Sequence, residues 1–529
     1  MCCPHPCSKT VPFHHDDPPY LSKLLLTNDT PQEIMLGPLK ASALRVTTDL
    51  DETDAEIRRL SDILKVQEDK RRHLEEVGNG YKSALSPLRR FPVEILVEMF
   101  YAFAREKGYY DVFSRTGPWA LSRVCRRWRH VALSLCPSIW ETMSVTASRY
   151  NPISLLKTAV SRSGGCKLDF TLSGLDSDPF ACLDFLPVLL AHSERWRSAY
   201  FTRQPLVIQQ LSSIRGKIPN LEVCHIDTDP LCIYAGRLNA FEFAPSLKHL
   251  HLKRLSWQSV IPVTAPNLIS FSDDQTSHAD SLHSTYLDII RASPYLETFD
   301  IQYQDQNGEL PVVTPRILHS ALQSLTVCEA AFISSLELPM LKSIEICHRV
   351  GPRADGDQHT AANVLPALHD LISVSSCSLT RLIISDTVLQ DRVISILELC
   401  PSLISLSLHV PEWNAESDLV LQNLTARMTE RIVEGSLALI PYLEDFSFLL
   451  RSASEEVESM DFVNSSFVGM VGARVGCHSP LAKVTIKSEV DGVELSRLTD
   501  EDIETLKTYQ QYLDIDIEAR MSGRYVRVV

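Results

Sequence analysis

The chain carries no catalytic signature. It holds no Walker GxxxxGK[ST] loop, no GxGxxG turn, no HExxH pair and no GxSxG elbow. Its histidines, among them His192, His225, His249, His251 and His319, are scattered over strand and turn positions rather than gathered as ligands. The expectation is a protein that is not itself an enzyme and takes neither metal nor cofactor. No stretch approaches 18 uninterrupted apolar residues, so none is expected to span a membrane. Met1-Cys2-Cys3-Pro4-His5-Pro6-Cys7 lacks a basic region followed by an apolar core, and does not read as a secretory signal. Positive charge is in deficit: 51 Lys and Arg stand against 66 Asp and Glu, a formal charge of -15. That argues against nucleic acid as the main ligand, because phosphate binding draws on clustered cations. The basic runs Lys70-Arg71-Arg72 and Arg126-Arg127 fall on the polar faces of predicted helices. Paired CxxC spacing is missing too. The 14 cysteines mostly sit inside apolar runs, as at Cys400, the usage of buried free thiols in a reducing compartment, so a cytoplasmic or nuclear location is expected.

What is present is an ordinary globular composition, 44% apolar and 22% charged, over 529 residues. Residues 1–42 are rich in Pro, His and Cys and read as a disordered tail. The group Cys2, Cys3, Cys7, His5, His14 and His15 lacks the geometry of a zinc module. Residues 43–84 read as a charged amphipathic helix. Val46, Leu50, Ile57, Leu60, Leu64 and Leu74 form a stripe with steps of three and four, interrupted at Thr53, Gln67 and Arg71. The stripe suits a homodimeric coiled coil through residues 43–77 or a helix folded back on its own chain, and Gly78-Asn79-Gly80 is expected to end it.

Residues 85–145 form a helical module. Ile95, Leu96, Met99 and Phe100 share one face of a first helix, and Leu121, Val124, Cys125, Trp128, Val131 and Leu135 one side of a second. A loop carrying Gly108, Gly117 and Pro118 separates them, and Pro137 precedes the anchor Ile139-Trp140. At about 55 residues the module is too small to bury both stripes well by itself. Phe91-Pro92-Val93-Glu94-Ile95-Leu96-Val97-Glu98-Met99-Phe100 and Leu121-Ser122-Arg123-Val124-Cys125-Arg126-Arg127-Trp128-Arg129 together resemble an F-box, of the type found in the large basidiomycete group. Phe91 stands where a leucine is common, and the insertion between Phe100 and Leu121 is long for the family. The resemblance implies docking onto a Skp-type adaptor of a cullin–RING ubiquitin ligase. The docking residues so implied are Phe91, Pro92, Ile95, Leu96, Phe100, Leu121, Val124, Cys125 and Trp128, as helix-in-groove anchors.

Across residues 190–450 one phrase recurs: Pro, any residue, Leu, then an alternating apolar run. Copies include Pro219-Asn220-Leu221, Pro245-Ser246-Leu247, Pro266-Asn267-Leu268, Pro294-Tyr295-Leu296, Pro339-Met340-Leu341, Pro401-Ser402-Leu403 and Pro441-Tyr442-Leu443, with Leu322 and Leu379 opening two copies without proline. Such a phrase predicts a degenerate leucine-rich-repeat solenoid, one short parallel strand and one return segment per unit, beginning at Trp196. Alternation along the strand places the leucines inward and leaves Glu222, Lys248, His249, His251, Glu297, Glu345, Ser405 and Glu444 as a candidate substrate face. These mix charge and hydroxyl with no aromatic ladder, a composition suited to a protein partner. Residues 451–529, with a strand near Ala482–Ile486 and a helix from Asp500 to Tyr512, read as a C-terminal cap. The fold expected is thus an α-helical F-box module followed by an α/β leucine-rich-repeat-like solenoid. The expected function is substrate recognition for a ubiquitin ligase; the alternative is a scaffolding protein whose helical module only caps the repeats.

Overall fold

The computed structural model describes residues 18, 20–27, 29–174, 182–202, 210–228, 235–253, 258–274, 280–302, 314–347, 364–385, 389–410, 413–432, 436–451, 459–475, 481–491, 495, 497–521 and 524–529. The N-terminal Cys/His group lies outside them. The chain divides into two compact units, Met1–Pro92 and Val93–Val529.

The first unit is dominated by one helix of 52 residues, Glu33–Ala84, preceded by a short helix Leu21–Leu26. Two expectations are corrected here. Residues 33–42 belong to the helix rather than to a tail, with Pro38 in the second turn, where it forfeits a single backbone bond. Gly78-Asn79-Gly80 does not end the helix either. Each glycine costs only about 1 kcal/mol, which the continuous hydrogen-bond ladder tolerates. The stop is Pro87: it holds Ser86 extended (φ -53, ψ 128), and the backbone N–H of Leu85 closes onto Tyr81 and Ser83. None of the residues in this helix is buried, so it does not fold back on its own unit.

The second unit is built on one 16-stranded sheet whose strand order is the chain order. Its strands are β1 (Tyr110–Asp111), β2 (Thr142–Ala147), β3 (Leu168–Gly174), β4 (Trp196–Thr202), β5 (Val223–Asp227), β6 (His249–Lys253), β7 (Ser270–Asp274) and β8 (Thr298–Gln302). They continue as β9 (Ser324–Val327), β10 (Ser343–Ile346), β11 (Arg381–Ser385), β12 (Ser405–Val410), β13 (Asp445–Leu450), β14 (Lys483–Asp491), β15 (Asp514–Met521) and β16 (Arg524–Arg527). All neighbours are parallel except β15 and β16. This is an α/β solenoid-like architecture, longer at both ends than residues 190–450. Three strands precede Trp196, and residues 451–529 supply three more rather than only a cap.

The recurring phrase works as a turn followed by a rung. Proline takes the second position of a β-turn, where its fixed φ fits, and the leucine N–H closes the turn on the carbonyl three residues back: Leu247 on Ala244 (3.2 Å), Leu268 on Ala265 (3.0 Å), Leu296 on Ser293 (3.1 Å). The residue between them ties successive turns together. Asn220 Nδ2 donates to the Glu194 carbonyl (2.8 Å), Ser246 Oγ to Pro219 (2.6 Å) and Asn267 Nδ2 to Pro245 (2.7 Å). The residue after each leucine then donates its N–H to the same position of the preceding unit, from Glu222 to Arg197 (2.8 Å) through Asp514 to Ala482 (2.8 Å).

Along most strands buried and half-buried residues alternate, whereas four of the five residues of Arg381–Ser385 are buried. The return helices pack on the buried rows: Trp196 donates its indole N–H to the Leu189 carbonyl (3.1 Å), and Phe299 stacks between Phe271 and Phe332, at 5.2 and 6.0 Å. Cys224, Cys377 and Cys400 lie in this core as free thiols, and burial pushes Cys400 up to about 12.

Candidate functional site

Two surfaces of the second unit are candidates for function. The first is the helical stretch from Val93 to Trp140. Helix Val93–Lys107 turns Leu96 and Phe100 inward. The second expected helix is broken in two, Pro118–Val124 and Arg126–His130, followed by a π-helical turn Val131–Leu135. The break is at Cys125, whose backbone is extended (φ -158, ψ 174) and whose Sγ caps the next helix by accepting the Trp128 N–H at 3.4 Å.

The F-box-like positions therefore divide. Leu96, Phe100 and Leu121 are core, and half-buried Trp128 meets Phe100 edge-on at 5.0 Å. Ile95 is 47% exposed and Val124 60%, and Cys125 also faces solvent. Met99, one turn after Ile95, is exposed as well. Phe91 and Pro92 fall in the other unit, half-buried and exposed respectively. Trp140 is fully buried, its indole N–H donated to the Ala132 carbonyl, and the Arg162 guanidinium stacks on both Trp119 (4.7 Å) and Trp140 (4.8 Å).

The second surface is the sheet face opposite the helices. Its middle row is set by direct pairing: Tyr200 opposite His225, His225 opposite His251, His251 opposite Ser272, Ser272 opposite Asp300, Asp300 opposite Thr326, and Thr326 opposite Glu345. Adjacent strands lie about 4.8 Å apart, so these side chains form one continuous file. At its N-terminal end is a ring ladder. Tyr109 meets Tyr200 edge-on at 6.2 Å, Tyr200 stacks on His225 at 6.1 Å, and His225 tilts against His251 at 6.0 Å. This corrects the expectation that the face has no aromatic ladder. Burial pushes the Tyr109 hydroxyl up to about 12, and burial also holds both imidazoles below the usual histidine range, His251 further through its histidine neighbours. Two carboxylates follow. Asp300 accepts from Ser272 Oγ (3.3 Å), and burial, then nearby Asp274, raises it above the ordinary range. Glu345 is raised by burial and by Asp300, with Arg381 opposing.

The eight residues expected to form the substrate face are not one cluster. Glu222 and Lys248 pair at 2.8 Å at the mouth of the strands, joined by Lys167 at 3.5 Å, and Lys248 holds the Glu222 carboxyl below its usual value. His249 and His251 share β6, but only His251 stands in the ladder row. Glu345 belongs to the carboxylate end of that row. Ser405 lies on β12, two strands beyond Glu345, where its Oγ donates to Asp445 at 3.4 Å. Glu297 and Glu444 are exposed at strand entrances.

Tyr109, Tyr200, His225 and Asp300 are functional candidates that the repeat phrase alone does not single out. For three of them a signal exists: the row falls four residues after each phrase residue, at Tyr200 after Trp196, His225 after Leu221, His251 after Leu247 and Asp300 after Leu296.

Among the described residues, no three His, Cys, Asp or Glu side chains come together as metal ligands, and no helix is long and apolar enough to cross a membrane. No known family model matches the chain, and no curated protein matches it in sequence.

Proposed function

We propose that the protein is a substrate-recognition adaptor of a Skp–cullin–F-box ubiquitin ligase, working in the cytoplasm or nucleus. The observation that supports this most is the division within the F-box-like stretch. Leu96, Phe100 and Leu121 are spent on the internal core, whereas Ile95, Met99 and Val124 leave apolar side chains in solvent on short helices. Burying what is still exposed of three such side chains, about half of each, against a partner is worth about 2–4 kcal/mol. In this reading the sheet face holds a protein substrate, with rings packing on Tyr200, His225 and His251 and a basic side chain meeting Asp300 and Glu345. The adaptor itself does no chemistry. It raises the effective concentration of substrate near the conjugating enzyme.

The scaffolding alternative has its own support: β1 arises inside the helical stretch and pairs with β2, so the stretch also closes the end of the sheet. A pull-down with the Skp-type adaptor separates the two. Wild type is expected to capture it, and Ile95→Asp/Val124→Asp to lose capture with an unchanged circular dichroism spectrum. Leu96 is unsuitable for this test because it is buried and its charged variant unfolds the module. Failure of the folded wild type to bind sinks the ligase reading and leaves the cap.

A further inference from the structure

The 52-residue helix Glu33–Ala84 extends the apolar stripe beyond the stretch expected to be helical. Helix before residue 43 adds Leu36 and Leu39, and helix after residue 77 adds Tyr81, all in the same heptad register as Leu50, Ile57, Leu60 and Leu64. In that register Leu36, Leu50, Ile57 and Leu64 are a positions, and Leu39, Val46, Leu60 and Leu74 are d positions. The seam thus runs for seven heptads. Yet most of its side chains are in water: Leu50 is 59% exposed, Ile57 54%, Leu60 51% and Leu64 60%. Outside the seam the helix carries its own ion pairs, Glu56 with Arg59 at 2.7 Å and Asp69 with Arg72 at 3.0 Å, so the polar faces need no partner.

We propose that this helix pairs with the same helix of a second copy of the chain as a parallel, in-register coiled coil. This goes beyond the adaptor reading and does not depend on it. The area is sufficient. Nine apolar seam residues per helix, each removing about 80 Å² from water, bury on the order of 1,400 Å² in the pair, within the range of a standard stable interface. The polar interruptions select the orientation. In a parallel pair Gln67 meets Gln67, amide to amide, and Lys70 faces Glu75 across the seam. Arg71 meets Arg71, with Glu75 of its own helix 3.7 Å away to offset the charge. In an antiparallel pair centred on Ile57 and Leu60, Gln67 lies against Leu50 and Arg71 against Val46, which buries the Gln67 amide without a partner and leaves Arg71 only Glu75 of its own helix.

Sedimentation equilibrium of the full chain at about 10 µM tests the proposal. The mass expected is twice that of the 59.4 kDa chain. Ile57→Glu/Leu64→Glu is expected to weaken association by on the order of a hundredfold, and Asp62→Lys, on the outer face, to leave it unchanged. A spin label on an unnatural amino acid at Ala41 reports orientation. Two labels within about 25 Å mean parallel, whereas antiparallel pairing separates them by about 50 Å, given a rise of 1.5 Å per residue. A wild-type monomer overturns the proposal. So does a dimer that survives the double variant, or a label distance near the longer value.

Discussion

Asp300 and Glu345 are the residues at which the sheet face gives up stability. Both carboxyls are raised above their ordinary values, chiefly by burial, and Asp300 adds to the shift at Glu345. A raised folded value means that the folded state binds protons more readily than the unfolded chain, so at neutral pH the charged form costs stability. The cost shrinks as pH falls through the folded value and is gone below the unfolded value of about 3.9 for aspartate. Asp300→Asn keeps an acceptor for Ser272 and removes the charge. It is expected to raise Tm at pH 7 by about 1–2 °C, with the gain closing as pH is lowered toward 4, read by thermal melts across that range. A lower Tm at pH 7, or a gain independent of pH, contradicts this account. The imidazoles of His225 and His251 have the opposite sign. Their depressed values favour the neutral ring, so their contribution is present above the unfolded value of about 6.5 and is lost as pH falls from there through the lower folded values. Residues that weaken their own fold in one half-buried file are where a ligand has something to gain.

The repeat element shows what the primary structure reveals and where it falls silent. The Pro-x-Leu phrase is legible because each of its positions acts locally, as the turn, as the tie between turns or as the inward anchor. Strands β2 and β3 are not legible in the same way because no Pro-x-Leu phrase opens them; before β2, Pro137-Ser138-Ile139-Trp140 forms a 3-10 turn instead. The long helix runs past its expected end because glycine weakens a helix without stopping it, and only Pro87 stops this one. The ring ladder is hidden because most of its members are more than twenty positions apart, and only strand register brings them together. The copy at Leu322 carries the most specific variation. It lacks the proline, and His319 takes over. Its Nδ1 accepts the Leu322 N–H at 3.1 Å while Nε2 donates to the Ser293 carbonyl at 2.9 Å, with the ring buried. His319→Ala removes both bonds and is expected to cost about 1–3 kcal/mol, measured by urea unfolding. His319→Pro does not restore the arrangement, since proline offers no acceptor side chain and sits one place too early in the turn. Stability of the alanine variant equal to wild type means the turn holds without the imidazole.

At the scale of the second unit, strand order equal to chain order has a mechanical consequence. Each strand of the main sheet pairs only with the strands before and after it, so stability is a sum of repeat and neighbour terms rather than a property of one central core. Phe299 on β8 lies midway, stacked between Phe271 on β7 and Phe332 on the return segment that follows β9. Phe299→Ala opens a cavity there and costs about 3–5 kcal/mol locally. In a one-dimensional array that loss is felt by the adjoining units first. Hydrogen exchange is therefore expected to lose protection at β7, β8 and β9, while β2 to β4 and β12 to β14 keep wild-type rates. If protection falls by the same factor from β2 to β15, the sheet unfolds as one cooperative body. The neighbour terms then exceed the cost of the cavity, and the phrase-by-phrase ties between Asn220, Ser246 and Asn267 and their preceding turns act over the whole array rather than between adjacent units.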